Sequence, residues 1–339
     1  MHSLDGSSGG GQLLRSAVSL SALSGEPFRM TGIRTNRSNP GLRPQHLAAV
    51  RAVARVCNAE LYGDAVGSEA VSFRPKAVEG NRFEIDVGTA GSTTLVFDTL
   101  LPLAVSLDRP LAVTVTGGTD VRWSPTIDYF REVKLPLCRQ FGLQVGIDSS
   151  RTGYYPSGGG EATLWLAPSS FSRIELADRG SLSGVRIYSK ASTSLAQRNV
   201  AERQLETAYT HLRAAGHSVL ERRTTYAKSN SPGTSLLVRA DYDSDGRYSL
   251  AGFDVVGERG VPAEDIAKRA VSAFSAFHSG RGVVDVNMAD QLLVFLALAG
   301  GRVTVPRVSE HVETSLELLS AFGYDVSLVR NTRFTIVGK

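Results

Sequence analysis

A histidine at the entry of a helix is a candidate nucleophile, and His311 stands at such a point, just after Val308-Ser309-Glu310. Ser309 is suited to cap that helix, its hydroxyl accepting a free amide proton of the first turn. The positive end of the helix dipole then favours the uncharged imidazole, and an attacking nitrogen must keep its lone pair. Glu310, Glu313 and Asp290 are the carboxylates that could hold the second ring nitrogen and fix the tautomer. Against this, a lone histidine at a helix end is commonly an ordinary surface residue, and spacing alone does not make it catalytic.

Two small-residue turns could offer unpaired amides to an anion, Ser7-Ser8-Gly9-Gly10-Gly11-Gln12 and Gly88-Thr89-Ala90-Gly91-Ser92-Thr93-Thr94, and a third glycine turn is Tyr155-Pro156-Ser157-Gly158-Gly159-Gly160. None ends in the Gly-Lys-Ser/Thr of a phosphate loop or follows the dinucleotide pattern. A tight strand-to-helix turn, or a chain reversal in the third, is an equal reading. From Gly32 to His46 the chain gathers Arg34, Arg37 and Arg43, with Gln45 and His46 closing the segment. Guanidinium groups grip phosphate through paired hydrogen bonds, so this loop suggests an anionic ligand, although a solvated basic loop is the commoner case. No cysteine and histidine spacing suggests a metal centre, and no Gly-x-Ser-x-Gly elbow is present.

The elements that must hold these residues recur. A small-residue turn opens an apolar helix and a β-branched strand follows: Leu13–Leu23 then Phe28–Ile33, Thr93–Leu103 then Leu111–Thr116, and Asn287–Leu298 then Arg302–Val305. An amphipathic helix comes next in each case, Gln45–Cys57, Ile127–Phe141 and His311–Phe322, with apolar residues three and four apart. From about Gly180 to Glu258 the order changes to a strand (Gly184–Tyr188), a polar helix (Leu195–Ala214) and strands near Ser218–Thr225, Ser235–Ala240 and Tyr248–Val256, with turns at Gly233 and in the run Asp241–Gly246. Pro262 then starts a helix to about Phe277. The expected architecture is α/β: a discontinuous large domain of residues 1–179 and 259–339, built from repeated units, with a small α/β domain inserted at 180–258. A chain of 339 residues is long enough for both. Its net charge of +4 permits an anionic partner without identifying one. No apolar run of about 18 residues predicts a membrane span, the amino terminus has no signal-peptide pattern, and two cysteines, Cys57 and Cys138, fit free thiols in the cytoplasm.

Taken in order, these segments resemble the RNA 3′-terminal phosphate cyclase family over nearly the whole chain. The likeness runs through Leu4-Asp5-Gly6 with Gly9–Ser16, Gly32–His46, Gly88–Thr94, Gly117-Gly118-Thr119-Asp120, Tyr155–Gly160, Val256-Gly257-Glu258-Arg259, Ala289-Asp290-Gln291 and Glu310-His311. The resemblance implies three repeated units, each with two helices on a four-stranded sheet, plus an inserted α/β domain. It implies ATP-dependent conversion of an RNA 3′-terminal phosphate to a 2′,3′-cyclic phosphate through a histidine–AMP intermediate, with ATP and a divalent metal (Mg or Mn) as helpers and His311 as the adenylated residue. Asn287, Met288, Ala289, Asp290, Gln291 and Asp98 fall on nucleotide-binding positions of that family, with Asp290 able to orient the imidazole. Arg15, Arg34, Arg37, Arg43 and Gln45 are suited to phosphate and RNA contacts. The chain departs from the family at two points. The glycine triplet is preceded by Ser7-Ser8, two residues short and without the usual glutamate, and Asp98 stands where glutamine is common. Either Asp5 or Asp98 would then be the substitute metal ligand in a rearranged site, or activity is weakened. The alternatives are a catalytically weakened or inactive cyclase-like scaffold in ribosomal RNA processing and, more distantly, an enolpyruvyl-transferase-like enzyme.

Overall fold

The computed structural model describes the chain apart from Gly9, Asp245 and Thr332, and the backbone alone at Arg247. Gly9 of the first glycine turn and Asp245 of the acidic turn therefore lie outside the described residues.

The chain forms an α/β protein on four four-stranded sheets. In the first, His2–Asp5 runs parallel to Phe28–Thr31, which pairs antiparallel with Val71–Arg74, and Glu60–Tyr62 closes the edge antiparallel. Arg82–Asp86, Leu111–Gly117, Gly160–Leu166 and Val145–Arg151 pair in the same order. So do Ile174–Leu176, Gly301–Val305, Phe334–Gly338 and Val326–Arg330. A parallel pair needs a crossover. Gly10–Ser24 makes it in the first sheet and Thr93–Leu100 in the second. In the third, the crossover spans everything between Leu176 and Gly301, and the additional sheet lies in this connection. The opening strand of each sheet was not expected. These strands are three to five residues long, so the alternation in Arg82–Asp86 and Ile174–Leu176 is too short to stand out from the surrounding chain.

The fourth sheet orders Val219–Ala227, Ser181–Ser192, Thr234–Ser244 and Arg247–Val256. Val200–Ala214 and Ala263–His278 cover it, and their Leu205, Ala208, Ala267 and Phe274 share a core with Val185, Ile187, Leu236 and Val238 of the strands. Pro262 precedes the second of these helices as expected, but that helix packs with the additional sheet rather than with the surrounding chain.

Two helices depart from expectation. Residues 127–139 form one continuous helix that passes through a π turn at Phe130–Lys134 and ends at Arg139. The polar helix is split, because Asn199 takes the left-handed conformation (φ 48°, ψ 41°) between a 3₁₀ segment at Thr193–Arg198 and Val200–Ala214. Asparagine tolerates that geometry better than most residues.

Candidate active site

Between the first helix and the segment around His311 the fold leaves a cleft of about 1050 Å³. The helix Glu310–Ala321 brings His311 to its wall, and Ser309 caps that helix by accepting the Val312 amide at 3.3 Å. Partial burial lowers the imidazole pKa, and the positive charges of Arg15 and Arg37 lower it further against the opposing Glu310. The ring is therefore neutral near pH 7, mainly through burial rather than the dipole alone. Among the described residues no side chain hydrogen-bonds either ring nitrogen. Glu313 is held instead by Arg330 at 2.6 Å, and Asp290 by Gln12.

Facing His311 across the cleft are Gln12 and Arg15 of the first helix, followed by Arg34, Arg37, Arg43 and Gln45 of the basic segment. Arg15 carries its charge against a burial penalty, relieved by Asp98 and Asp290. Arg34 has a left-handed backbone (φ 57°), and its guanidinium spans the loop, donating to the carbonyls of Asn39 at 2.9 Å and Gly41 at 3.2 Å. It therefore braces the segment as well as lining the cleft. Gln45 accepts the Ser92 amide at 3.1 Å, tying the basic segment to the second glycine turn. His46 lies beneath these groups. Burial, with Arg15, Arg34 and Arg43 adding to it, pulls its pKa down to about 3. Its Nδ1 accepts the Arg43 amide at 3.2 Å, and a Cβ on Gly11 would come within 2.0 Å of its Nε2. That close approach explains a glycine at position 11.

The segment Val286–Gln291 starts under the cleft, capped by Asp285, which accepts the amides of Asn287 at 3.0 Å and Met288 at 2.9 Å. Asn287, Asp290 and Gln291 reach the cleft, whereas Met288 and Ala289 are buried in the core beneath it. Burial raises the Asp290 pKa to about 7, with Asp98 adding to the shift and Gln12, Lys134 and Arg15 opposing it.

Asp98 is not free. It forms an ion pair with Lys134, a fully buried lysine whose Nζ also donates to Gln291 at 2.8 Å. Lys134 went unnoticed in the sequence, yet it lies four residues after Phe130 and seven after Ile127, on the apolar stripe of its helix. A lysine on such a stripe needs a buried counter-charge. Asp254 was also missed. It lines the cleft from the fourth sheet, accepts the Thr126 amide at 2.7 Å, and has its pKa raised by burial to about 6.

The other two glycine turns do not join the cleft floor. In Gly88–Thr94 the amides of Gly88, Gly91 and Ser92 are bonded to Asp86, Thr89 and Gln45, so the turn serves the chain itself. The third joins two antiparallel strands and packs against it, with Gly158 facing Ala90. Asp5 is likewise engaged, by the amide and hydroxyl of Ser7 at 2.9 Å each. Among the described residues no three histidine, cysteine, aspartate or glutamate side chains gather as a metal site. Asp5 and Asp98, the expected substitute metal ligands, are thus engaged by Ser7 and by Lys134.

A sequence model described as RNA 3′-terminal phosphate cyclase matches residues 7–326. A protein of that name from Halobacterium salinarum is 46% identical, the alignment covering 97% of this chain and 96% of its own. Another from Saccharolobus islandicus is 38% identical over 98% of each chain, and one from Pyrococcus abyssi is 38% identical over 95% of this chain and 93% of its own.

Proposed function

The chain belongs to the RNA 3′-terminal phosphate cyclase family and is an enzyme of that kind, and we propose that His311 carries AMP from ATP to the RNA end. What supports this most directly is a neutral imidazole, unpaired among the described side chains, on the wall of a cleft lined by arginines.

In this reading the lone pair of a His311 ring nitrogen attacks the α-phosphorus of ATP. A nitrogen–phosphorus bond forms, the bond from the α-phosphorus to the bridging oxygen breaks, and pyrophosphate leaves. An oxygen of the RNA 3′-phosphate next attacks the same phosphorus and breaks the nitrogen–phosphorus bond, freeing the histidine. The vicinal 2′-hydroxyl then attacks the terminal phosphorus, losing its proton and expelling AMP as the five-membered ring closes. At each step negative charge builds on non-bridging oxygens, and fixed guanidinium groups stabilise it best where water is scarce. Arg15, Arg37 and Arg43 are the groups available for that task, with Arg34 bracing the loop that presents two of them. Asn287, Asp290 and Gln291 are the nucleotide-facing residues. Met288 and Ala289 serve by shaping the floor below. A divalent ion would be carried in on the ATP phosphates and would neutralise charge around the reacting phosphorus.

The architecture fits three repeated units interrupted in the crossover of the third, with the inserted unit reaching past 258 to take in the helix Ala263–His278. The two buried, reduced cysteines are in keeping with the cytoplasm.

Incubation with ATP labelled at the α-phosphate tests the assignment. Label should remain on the protein, survive base, be released by acid, and be absent from His311→Ala. A wild-type protein that binds RNA but takes up no label would favour the non-catalytic scaffold instead.

A further inference from the structure

One residue on the cleft is unaccounted for by the chemistry above. Trp123 lines the cleft and is 95% exposed, the largest exposure among its big apolar side chains. Its backbone is left-handed, with φ at 67°, a conformation that bulky residues seldom adopt and that persists only where the surroundings enforce it. The surroundings do so. On one side Arg122 forms an ion pair with Glu258, which is itself held by Arg269 at 2.8 Å. On the other side the Thr126 amide is held by buried Asp254 at 2.7 Å, and Ser124 bonds back to the Val121 carbonyl at 3.1 Å. Two anchors from the inserted part of the chain thus hold a short loop of the second sheet with its indole turned out to water. Neither the core nor the loop gains from that exposure.

We propose that Trp123 is a stacking platform for the base at the 3′ end of the RNA, an inference that rests on the cyclase reading of the neighbouring cleft. Every base has a π face, and an aromatic ring stacks on it without demanding a particular sequence, which suits an enzyme acting on RNA ends. A polymer must leave the cleft across its rim, whereas a single nucleotide can be taken up within it. The almost fully exposed indole lies where a departing chain passes. The anchored loop loses little backbone freedom on binding.

The test uses the full chain and a 3′-phosphorylated oligoribonucleotide. Trp123→Ala should raise KM for the RNA about 10-fold, leave the rate of AMP loading from ATP alone unchanged, and keep the wild-type circular dichroism. Trp123→Phe should recover most of the loss. An oligonucleotide lacking its last base should make wild type and Trp123→Ala equal. An unchanged KM in Trp123→Ala overturns the platform. A fall in AMP loading overturns it too, because the stacked base would then be the adenine of ATP. The chain has two tryptophans, so Trp165→Phe leaves Trp123 as the sole indole, and RNA should quench its fluorescence. Quenching without cyclisation in the wild type would sink the reaction and keep the platform. Absence of quenching would sink the platform whatever the reaction does.

Discussion

Charge is buried in two places in this molecule, and the two are treated in opposite ways. Where the fourth sheet meets the second, Lys190 sits between Asp120 and Asp128 at 2.9 Å from each, Ser235 donates to Asp120 at 3.0 Å, and Arg131 reaches Asp128 at 2.6 Å. The neighbouring charges outweigh burial there, so Lys190 has its pKa raised and Asp128 has its pKa lowered. Lys190 and Asp128 are thus both favoured in their charged forms. In the cleft the balance runs the other way. Burial moves Asp290 up to about 7 and His46 down to about 3, and it lowers Arg15 and His311 as well. The seam is complete by itself, while in the cleft Arg15 keeps its charge against the cost of burial. Perturbed titration gathered on one side of a fold marks the working side.

The largest expected effect tests the seam. Lys190→Met leaves Asp120 and Asp128 in the interior without their shared partner, and removing one member of a buried pair typically costs about 3–5 kcal/mol. Urea unfolding followed by circular dichroism should show that loss. Arg15→Met, by contrast, should cost the fold little and slow AMP loading about 100-fold or more, as expected when one charge-stabilising group is removed. Equal stability losses in the two variants would erase the distinction between the regions.

A smaller effect belongs to the one pair in the cleft that behaves like the seam. Asp98→Gln would match the commoner family residue by sequence, but it leaves the Lys134 ammonium buried with only Gln291 to accept from it. Since Asp98 is partly reached by water, the loss should be about 2–3 kcal/mol rather than the full value for a dry pair. Combining Asp98→Gln with Lys134→Met should recover much of it, measured again as a shift in the urea midpoint. A neutral single substitution would mean the pair contributes nothing.

That pair also shows where reading the chain reaches its limit. The helix bearing His311 and its Ser309 cap were legible, because both depend on residues within one turn of each other. The gathering of Arg15, Arg37, Arg43, Asp290 and His311 could be anticipated only through likeness to a family, since hundreds of residues separate them. The partner of Lys134 was invisible because Asp98 lies 36 residues away on another helix, although the lysine's place on an apolar stripe announced that it needed one. Short edge strands such as Ile174–Leu176 went unseen because three residues carry no period. The split at Asn199 was missed because its polar neighbours continue a helical pattern that a single left-handed residue interrupts.

The smallest effect is the most discriminating, because its size depends on pH. A free aspartate has a pKa near 3.9, and in the folded chain Asp290 is raised to about 7. Between those values the folded state holds a proton that the unfolded chain has released. Stability attributable to this group is therefore intact below about pH 4, declines as pH rises toward 7, and is fully lost above it. Asp290→Asn has no charge to bury, so it should unfold at a higher temperature than wild type at pH 8, by the equivalent of about 2 kcal/mol once access of water to the cleft is allowed for. The gap should close near pH 4. Asp254, raised to about 6, titrates in both proteins and cancels in the difference, and so does His46, whose neutral burial costs stability only as pH falls below its free value. A difference in melting temperature that stayed constant from pH 4 to pH 8 would show that Asp290 is already compensated, and the cleft would then resemble the seam rather than oppose it.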